Sequence, residues 1–245
     1  LSFLHIVRPE INFSEETDEH ADIVYETGAA KLAAWKSGLN TLQEAEPSLY
    51  LYRLVMNGRS QTGIFGCVAV SDYDKGTILR HELTRPDKED DRTRHILTQS
   101  AHAEPVMLTF RTDEVVGKMM DETQRLEPIY DFVAPDGIAH TVWKVENPDG
   151  LVARFREIPF LYVADGHHRC KAASRAVEAL NPLPDAEANY FPAVLFPMNQ
   201  MAILPYNRIV YKIPMMVTDF LAALQPFDLR ENAVPTPERK GDVSM

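Results

Sequence analysis

Apolar and polar positions along the chain follow two periods, and the period predicts the type of element. Between about residues 18 and 38 apolar side chains recur three and four positions apart, which is typical of an amphipathic helix that ends at Gly38. Shorter apolar runs rich in β-branched and aromatic residues predict strands. These runs lie at 2–7, 48–56, 62–70, 77–82, 105–110, 129–133, 138–145, 160–164, 191–196 and 208–213. Further helices are predicted after residue 95 and at 113–126, 148–157, 170–180 and 217–224.

Turn sequences join two pairs of these strands into predicted hairpins. Asn57-Gly58 lies in a slightly long loop between the strands at 48–56 and 62–70, and Pro135-Asp136-Gly137 separates the strands at 129–133 and 138–145. Strands and helices mix along the chain without an internal repeat. The pattern therefore predicts an α+β or mixed α/β fold.

One strand-to-helix junction carries the sharpest chemical signal. The apolar run 160–164, of the kind that is covered on both faces of a sheet, leads directly into Asp165-Gly166-His167-His168-Arg169, here called the signature turn, and then into a helix. Such junctions are where α/β proteins place ligand chemistry.

Each residue type in the signature turn suits an anionic ligand. Gly166 lets the backbone approach a ligand, and the helix start offers unpaired N–H groups to an anion. Arg169 offers a two-pronged phosphate contact, while Asp165 can hold a metal or orient a hydroxyl. The alternative is that Asp165 merely caps the helix while the histidines are half exposed.

A second candidate lies at the end of the strand predicted at 77–82. His81-Glu82 is followed by the most charged segment of the chain, 85–95. Glu82 would supply a general base, the acidic residues Mg²⁺ ligands, and Arg92 and Arg94 phosphate-binding cations. On spacing alone a solvated surface loop is the favoured reading of such a charge run.

Composition restricts the classes of partner. The 36 acidic residues exceed the 25 Lys and Arg, the formal net charge is −11, and no basic stripe is present, which argues against binding to nucleic acid. No apolar run approaches the roughly 18 residues of a membrane span, so we expect a soluble protein. Cys67 and Cys170 are too few for a disulfide scaffold and predict a reducing, cytoplasmic setting.

Other motifs are weaker or missing. His95 and His102 are seven positions apart but lack a third zinc ligand in fixed spacing, and Cys170 is expected to be packed and inert. The segment 204–208 reads as a polar turn before a strand. Neither G-x-x-x-x-G-K-[ST] nor G-x-G-x-x-G occurs, so a nucleotide would not be held by those loops. The chain begins within a predicted strand and ends in a Pro-rich connector, from which we expect a fragment of a longer protein.

Several motifs together support a family resemblance. They are Phe3-Leu4-His5-Ile6-Val7-Arg8-Pro9-Glu10, Gln61-Thr62-Gly63, His81-Glu82-Leu83-Thr84-Arg85, Glu89-Asp90-Asp91-Arg92-Thr93-Arg94-His95, the signature turn with its preceding strand, and Leu204-Pro205-Tyr206-Asn207-Arg208. In this order they resemble a widespread prokaryotic family of unknown function, the type called domain of unknown function 1015. Its signature is the Asp-Gly-His-His-Arg turn.

A more distant resemblance suggests a fold and a chemistry. The signature turn and His81-Glu82 are similar to motifs of the ParB/sulfiredoxin-like superfamily, which includes nucleotide-binding partition proteins, sulfiredoxin and a free-serine kinase. The resemblance implies a ParB/sulfiredoxin-like core at 76–212, a smaller helix-and-hairpin portion at 1–75, and the start of a further portion at 213–245. His167 stands where sulfiredoxin has its cysteine, which rules out sulfiredoxin's sulfur chemistry at this position.

The resemblance to the serine kinase implies roles for individual residues. Glu82 would be the base, and Asp165 would hold Mg²⁺ or orient the acceptor. Phosphate would be bound by Gly166, His167, His168 and Arg169, with Arg92 and Arg94 as auxiliary cations. The predicted function is a small-molecule kinase that transfers phosphate from ADP or ATP to a hydroxylated metabolite. The alternatives are a nucleotide-sensing module without turnover and, against the net charge, a ParB-like nuclease or DNA-binding protein.

Overall fold

A computed structural model describes residues 2–38, 41–204, 212 and 214–223. The chain divides into two compact units, Leu1–Met201 and Ala202–Met245. The second unit contains helix α8 (Val217–Ala223). The first unit contains the sheet and all the other elements. Its helices are α1 (Leu4–Val7), α2 (Asp22–Lys36), α3 (Val70–Asp74), α4 (Pro86–Gln99), α5 (Glu114–Thr123), α6 (Pro148–Phe155) and α7 (His167–Leu180).

Eight strands form one mixed sheet. They are β1 (Tyr50–Met56), β2 (Arg59–Ala69), β3 (Ile78–Leu79), β4 (Val106–Phe110), β5 (Tyr130–Val133), β6 (Ala139–Lys144), β7 (Leu161–Asp165) and β8 (Tyr190–Pro197). Their order is β3-β7-β4-β8-β2-β1-β6-β5. The pairs β3/β7 and β4/β8 are parallel, and every other neighbouring pair is antiparallel. The predicted mixed α+β class is confirmed, whereas the ParB/sulfiredoxin-like core stays a prediction.

Both predicted hairpins are present. The first turns through Asn57 and Gly58, whose φ angles of 52° and 75° are both positive. This conformation is that of a two-residue hairpin turn, so the loop is tighter than predicted. The second hairpin, β5 with β6, turns through Gly137 at φ 82°.

A row of apolar side chains across five strands organises the core. Leu51, Ile64, Leu195, Leu108 and Val163 are successive partners in register, so all five project from the same face of the sheet. The helices cover this row with buried apolar side chains, namely Val70, Tyr73, Val116, Met120, Leu151, Cys170 and Ala173. Each large apolar side chain that is fully buried contributes about 1.5 to 3 kcal/mol to folding.

The prediction of a strand at residues 2–7 is wrong. This segment forms α1 and continues into a short 3₁₀ helix, Pro9–Asn12. Ile6 is buried, and its carbonyl oxygen accepts a hydrogen bond from the side chain of Gln99 on α4. A run of six apolar-rich residues is too short for periodicity to separate a strand from a helix, and here contacts with other elements decide.

The charged segment 85–95 also differs from its favoured reading as a surface loop. It forms most of α4, with Pro86 at the first helical position. The strand predicted at 77–82 shortens to β3, and α7 begins three residues earlier than predicted. The strand predicted at 208–213 falls outside the described residues, apart from Lys212.

The predicted division of the chain at residues 75 and 212 stays a prediction. Strands β1 and β2, which precede residue 75, lie in the same sheet as the strands that follow it. None of the helices that the structure describes is both long and apolar enough to cross a membrane.

Candidate functional site

The topology of the sheet brings the two candidate motifs to one edge. β3 and β7 are parallel neighbours, with Ile78 opposite Leu161 and Leu79 opposite Tyr162. Their carboxyl ends therefore meet at the same edge of the sheet. β3 leads into residues 80–85, here called the His-Glu loop, and β7 leads into the signature turn.

Side-chain contacts join the His-Glu loop to the signature turn. Glu82 Oε2 lies 3.5 Å from His167 Nδ1, and the rings of His81 and His167 pack edge to face with their centroids 4.5 Å apart. The backbone N–H of Arg85 donates to Nε2 of His168 at 3.2 Å. Residues more than 80 positions apart thus form one cluster.

The N-terminus of α7 is open. Gly166 precedes the helix in the left-handed region, at φ 94°, and no side chain accepts from the first N–H groups of the helix. A β-carbon at this position would lie 3.1 to 3.3 Å from the guanidinium of Arg169. Glycine is thus favoured by its backbone angle and by the close approach. The N–H groups of residues 167–169 find no acceptor among the described residues, which leaves them available to an anion.

Asp165 pairs with Arg169 and does not cap the helix. Its Oδ2 accepts from Nη2 of Arg169 at 2.6 Å, and Nη1 of the same arginine donates to the carbonyl oxygen of Pro105. The side chain of Asp165 is 70% exposed. The alternative in which Asp165 simply caps α7 therefore does not describe the structure.

His167 is the buried member of the cluster. Its side chain is 5% exposed, and its Nε2 has no hydrogen-bond partner among the described residues. Burial lowers the pKa of His167 below its ordinary value, and the neighbouring His81 lowers it further. The ring is consequently neutral at pH 7, and one buried polar nitrogen is left without a partner.

The structure places the two predicted auxiliary cations on different sides of α4. Arg92 pairs with Glu104 at 3.1 Å and lies on the side of the helix that faces Arg169. Arg94 instead pairs with Asp22 of α2 and lies over the ring of Tyr25, 4.2 Å from its centroid. Arg92 is brought near the signature turn, whereas the contacts of Arg94 are with α2.

The acidic residues of α4 make structural contacts. Glu89 accepts from the hydroxyl of Thr84 and lies 3.3 Å from Arg175, which also pairs with Asp90. Asp91 accepts from the hydroxyl of the buried Tyr25. These pairs attach α4 to α7 and α2 and fix the end of the His-Glu loop. Sequence reasoning missed the pairs between helices because Tyr25 and Arg175 are at least 66 positions from their partners on α4.

A solvent-open cleft of about 450 Å³, here called the edge cleft, lies beside the signature turn. Arg92, His95 and Arg169 line it, together with residues 101–104. His95 and His102, which the sequence suggested only as weak candidates for zinc ligands, both line the cleft. His102 follows the end of α4, so His95 and His102 do not lie on one helix.

Other candidates carry little chemistry. No group of three His, Cys, Asp or Glu side chains that would hold a metal occurs in the described ranges. Burial raises the pKa of the Cys170 thiol to about 12, which agrees with the expectation of an inert cysteine. The polar turn predicted at 204–208 lies outside the described residues, apart from Leu204.

Comparison with known proteins identifies a family. The profile of a family described as a protein of unknown function (DUF1015) matches residues 1–245. The chain belongs to this family, as its motifs indicated. No curated protein and no solved structure matches the chain.

Proposed function

We propose that this member of the family is a nucleotide-dependent phosphotransferase that acts on a small hydroxylated metabolite. The observation that carries the proposal is the juxtaposition of the Glu82 carboxylate with the open N-terminus of α7. One motif offers a proton acceptor and the other a phosphate cradle, and phosphoryl transfer requires both within the length of one small ligand.

The proposed reaction is an in-line displacement. The hydroxyl oxygen of the metabolite attacks the terminal phosphorus of ATP or ADP, and the bond from that phosphorus to the bridging oxygen breaks. Glu82 accepts the hydroxyl proton, and the shortened nucleotide leaves with the bond's electron pair. The carboxylate of Glu82 is 57% exposed, so an acceptor can reach it. Catalysis of this kind depends mostly on positioning and charge neutralisation.

The phosphates would lie against the signature turn. The backbone N–H groups that follow Gly166 supply uncompensated donors, and Arg169 supplies the nearest guanidinium. His167 and His168 would complete the cradle, with Arg92 as an auxiliary cation. Arg94 has no place in this assignment because its contacts are with α2.

Mg²⁺ would be held by Asp165 together with the phosphates of the nucleotide. Mg²⁺ is commonly bound by one or two carboxylates, substrate phosphates and water, and it neutralises charge on the phosphates during transfer. The exposed carboxylate of Asp165 fits this use because only its Oδ2 is engaged, by Arg169. A cytoplasmic setting would supply both Mg²⁺ and nucleotide.

A second candidate is a nucleotide-sensing module without turnover. It is favoured by the ion pair between Asp165 and Arg169, which occupies the two charged side chains of the turn with each other. A nucleotide that displaced this pair would change the turn without undergoing chemistry.

Turnover of ATP and ADP in the presence of Mg²⁺ and a panel of hydroxylated metabolites tests the proposal. We expect Glu82→Gln to lower turnover by about 10²- to 10⁴-fold, the usual contribution of a general base, with nucleotide affinity unchanged. Glu127→Gln, a change at an exposed carboxylate, serves as the matched control and should leave turnover unchanged. Full turnover by Glu82→Gln would remove Glu82 as the base. Tight nucleotide binding without product from any acceptor would favour the sensing module.

A further inference from the structure

The edge cleft continues the row of candidate groups along the sheet edge. Met107 of β4 is opposite Asp165, so the first residues of β4 lie beside the signature turn. β8 follows next in the sheet and runs parallel to β4. The order along the edge is therefore the His-Glu loop after β3, the signature turn after β7, and the edge cleft at the starts of β4 and β8.

The lining of the edge cleft suits a flat, partly apolar ligand. Val106 and Phe191, at the starts of the two strands, give it an apolar floor and are only 2% and 1% exposed. Ala103 adds a small side chain to the wall. The cleft is open to solvent, and small-molecule sites combine an apolar lining with a few polar groups.

The polar groups of the cleft are planar. Arg92 and Arg169 contribute guanidinium groups, which stack on aromatic rings and donate hydrogen bonds in their own plane. His102 contributes an imidazole to the lining. Burial lowers the pKa of His102, so at pH 7 its ring is neutral and can both donate and accept.

Arg169 links the cleft to the signature turn. Its guanidinium pairs with Asp165 in the turn and also lines the cleft. β3 and β4 are two strand spacings apart, about 10 Å, since neighbouring strands are about 4.8 Å apart. One extended ligand can therefore reach from the carboxylate of Glu82 past the turn to the cleft.

We propose that the edge cleft binds the base of the nucleotide whose phosphates lie at the N-terminus of α7. The inference rests on the proposed function, because it assigns the remaining part of the same ligand. The heterocycle stacks against the planar side chains of Arg92, Arg169 and His102, and Arg169 contacts both ends of the bound nucleotide. The cleft makes this protein a nucleotide binder rather than a general binder of polyphosphates.

Binding of ATP compared with tripolyphosphate, each measured by calorimetry with Mg²⁺, tests the inference. Tripolyphosphate has the phosphate chain without the base. We expect the wild type to bind ATP about ten- to a hundredfold more tightly, the usual contribution of one stacked base. Ala103→Trp fills the cleft and should remove this preference by weakening ATP binding alone, with tripolyphosphate affinity unchanged.

Two further variants keep the test decisive if the large tryptophan disturbs folding. His102→Ala removes a flat wall of the cleft and should lower the ATP preference in the same direction by a smaller factor. His140→Ala, on β6 at the far side of the sheet, is the matched control and should keep the full preference.

The outcomes separate this inference from the proposed function. Equal affinity of the wild type for ATP and tripolyphosphate would overturn the base site and leave the phosphate cradle standing. An unchanged ATP preference in both cleft variants would also overturn it. Binding of neither ligand by the wild type would overturn the cradle and the base site together. If the cleft variants lose the preference for ATP but the wild type shows no turnover, the base site is supported and the phosphotransferase is contradicted.

Discussion

Two helices, α5 and α7, begin soon after strands of the same sheet, but only the N-terminus of α5 is capped by a side chain. α5 is closed by its own sequence: Asp113 accepts from the backbone N–H groups of Val115 and Val116 and pairs with Arg154 at 2.6 Å. The hydrogen bond from Arg154, followed by the one from Val116, lowers the pKa of Asp113 to about 2. α7 begins with Gly166, and no side chain satisfies its first N–H groups.

The difference shows which helix end is available to a ligand. A helix N-terminus attracts anions through its free N–H groups and its dipole, and the carboxylate of Asp113 already meets both needs at α5. At α7 the carboxylate of Asp165, which directly precedes Gly166, pairs with Arg169 instead. With Gly166 as the N-cap, α7 lacks about a few tenths of a kcal/mol relative to a good capping side chain, and a ligand anion would supply the missing contacts.

The largest expected effect is the loss of turnover when the carboxylate charge at the start of α7 is removed. Asp165→Asn should abolish Mg²⁺-dependent turnover and spare metal-free nucleotide binding, because an amide keeps the shape but not the charge that Mg²⁺ requires. Its cost in stability should be below about 1 kcal/mol, since the pair with Arg169 is exposed. Turnover assays and urea unfolding measure the two effects.

The matched change at α5 should affect stability and leave turnover unchanged. Asp113→Asn keeps the cap but loses the ion pair with Arg154, so stability falls by up to about 1 kcal/mol while turnover is unaffected. An Asp165→Asn protein with a wild-type response to Mg²⁺ and nucleotide would contradict the catalytic assignment of Asp165.

Two Gly→Ala substitutions, one at each helix, should change the free energy of unfolding in opposite directions. Gly166→Ala places a side chain at φ 94° and against Arg169, and should destabilise the protein by about 1 to 2 kcal/mol. Gly117→Ala lies inside α5, where a β-carbon meets no neighbour, and should stabilise it by about 0.5 to 1 kcal/mol. Urea unfolding of both variants checks the signs. A stabilising Gly166→Ala would mean that the turn does not need its left-handed conformation.

Much of this comparison could be predicted from local sequence. The helix predicted at 113–126 begins with Asp113, a residue type favoured at N-caps, and the apolar run before Asp165 predicted the strand-to-helix junction. Both signals are local, because turn chemistry and capping depend on residues within one or two turns.

The remaining features depend on contacts between distant residues. The pairing of β3 with β7 brings Glu82 to His167, and nothing in a two-residue strand fixes its partner. The same holds for α4, whose charged side chains pair with residues of α2 and α7. The edge cleft likewise combines residues from four separate segments of the chain, so no local motif predicts it.

The smallest expected effect is a difference in pH dependence. The pKa of His167 is lowered from 6.5 by burial, so the unfolded state binds more protons there, and stability is lost as the pH falls below about 6.5. The pKa of Asp113 is lowered from 3.8 to about 2, so its contribution is present above about 3.8 and is lost as the pH falls towards 2.

Denaturant unfolding as a function of pH separates these two windows. His167→Gln should reduce the slope below pH 6.5, with a remaining slope from His95 and His102, whose pKa values burial also lowers. Asp113→Asn should reduce only the acidic window. A His167→Gln profile identical to that of the wild type would show that the His167 ring takes up protons equally in both states.

Hydrogen exchange at the two helix starts tests the central claim most directly, namely that the N-terminus of α7 is the phosphate-binding end. The amides to follow by NMR are those of His167, His168 and Arg169 at α7, and those of Val115 and Val116 at α5. We expect nucleotide with Mg²⁺ to slow exchange at the three α7 amides by about tenfold or more, the equivalent of one hydrogen bond, and to leave the two α5 amides unchanged. If bound nucleotide slows amide exchange equally at both helices, or does not slow it at α7, the N-terminus of α7 is not the phosphate-binding end.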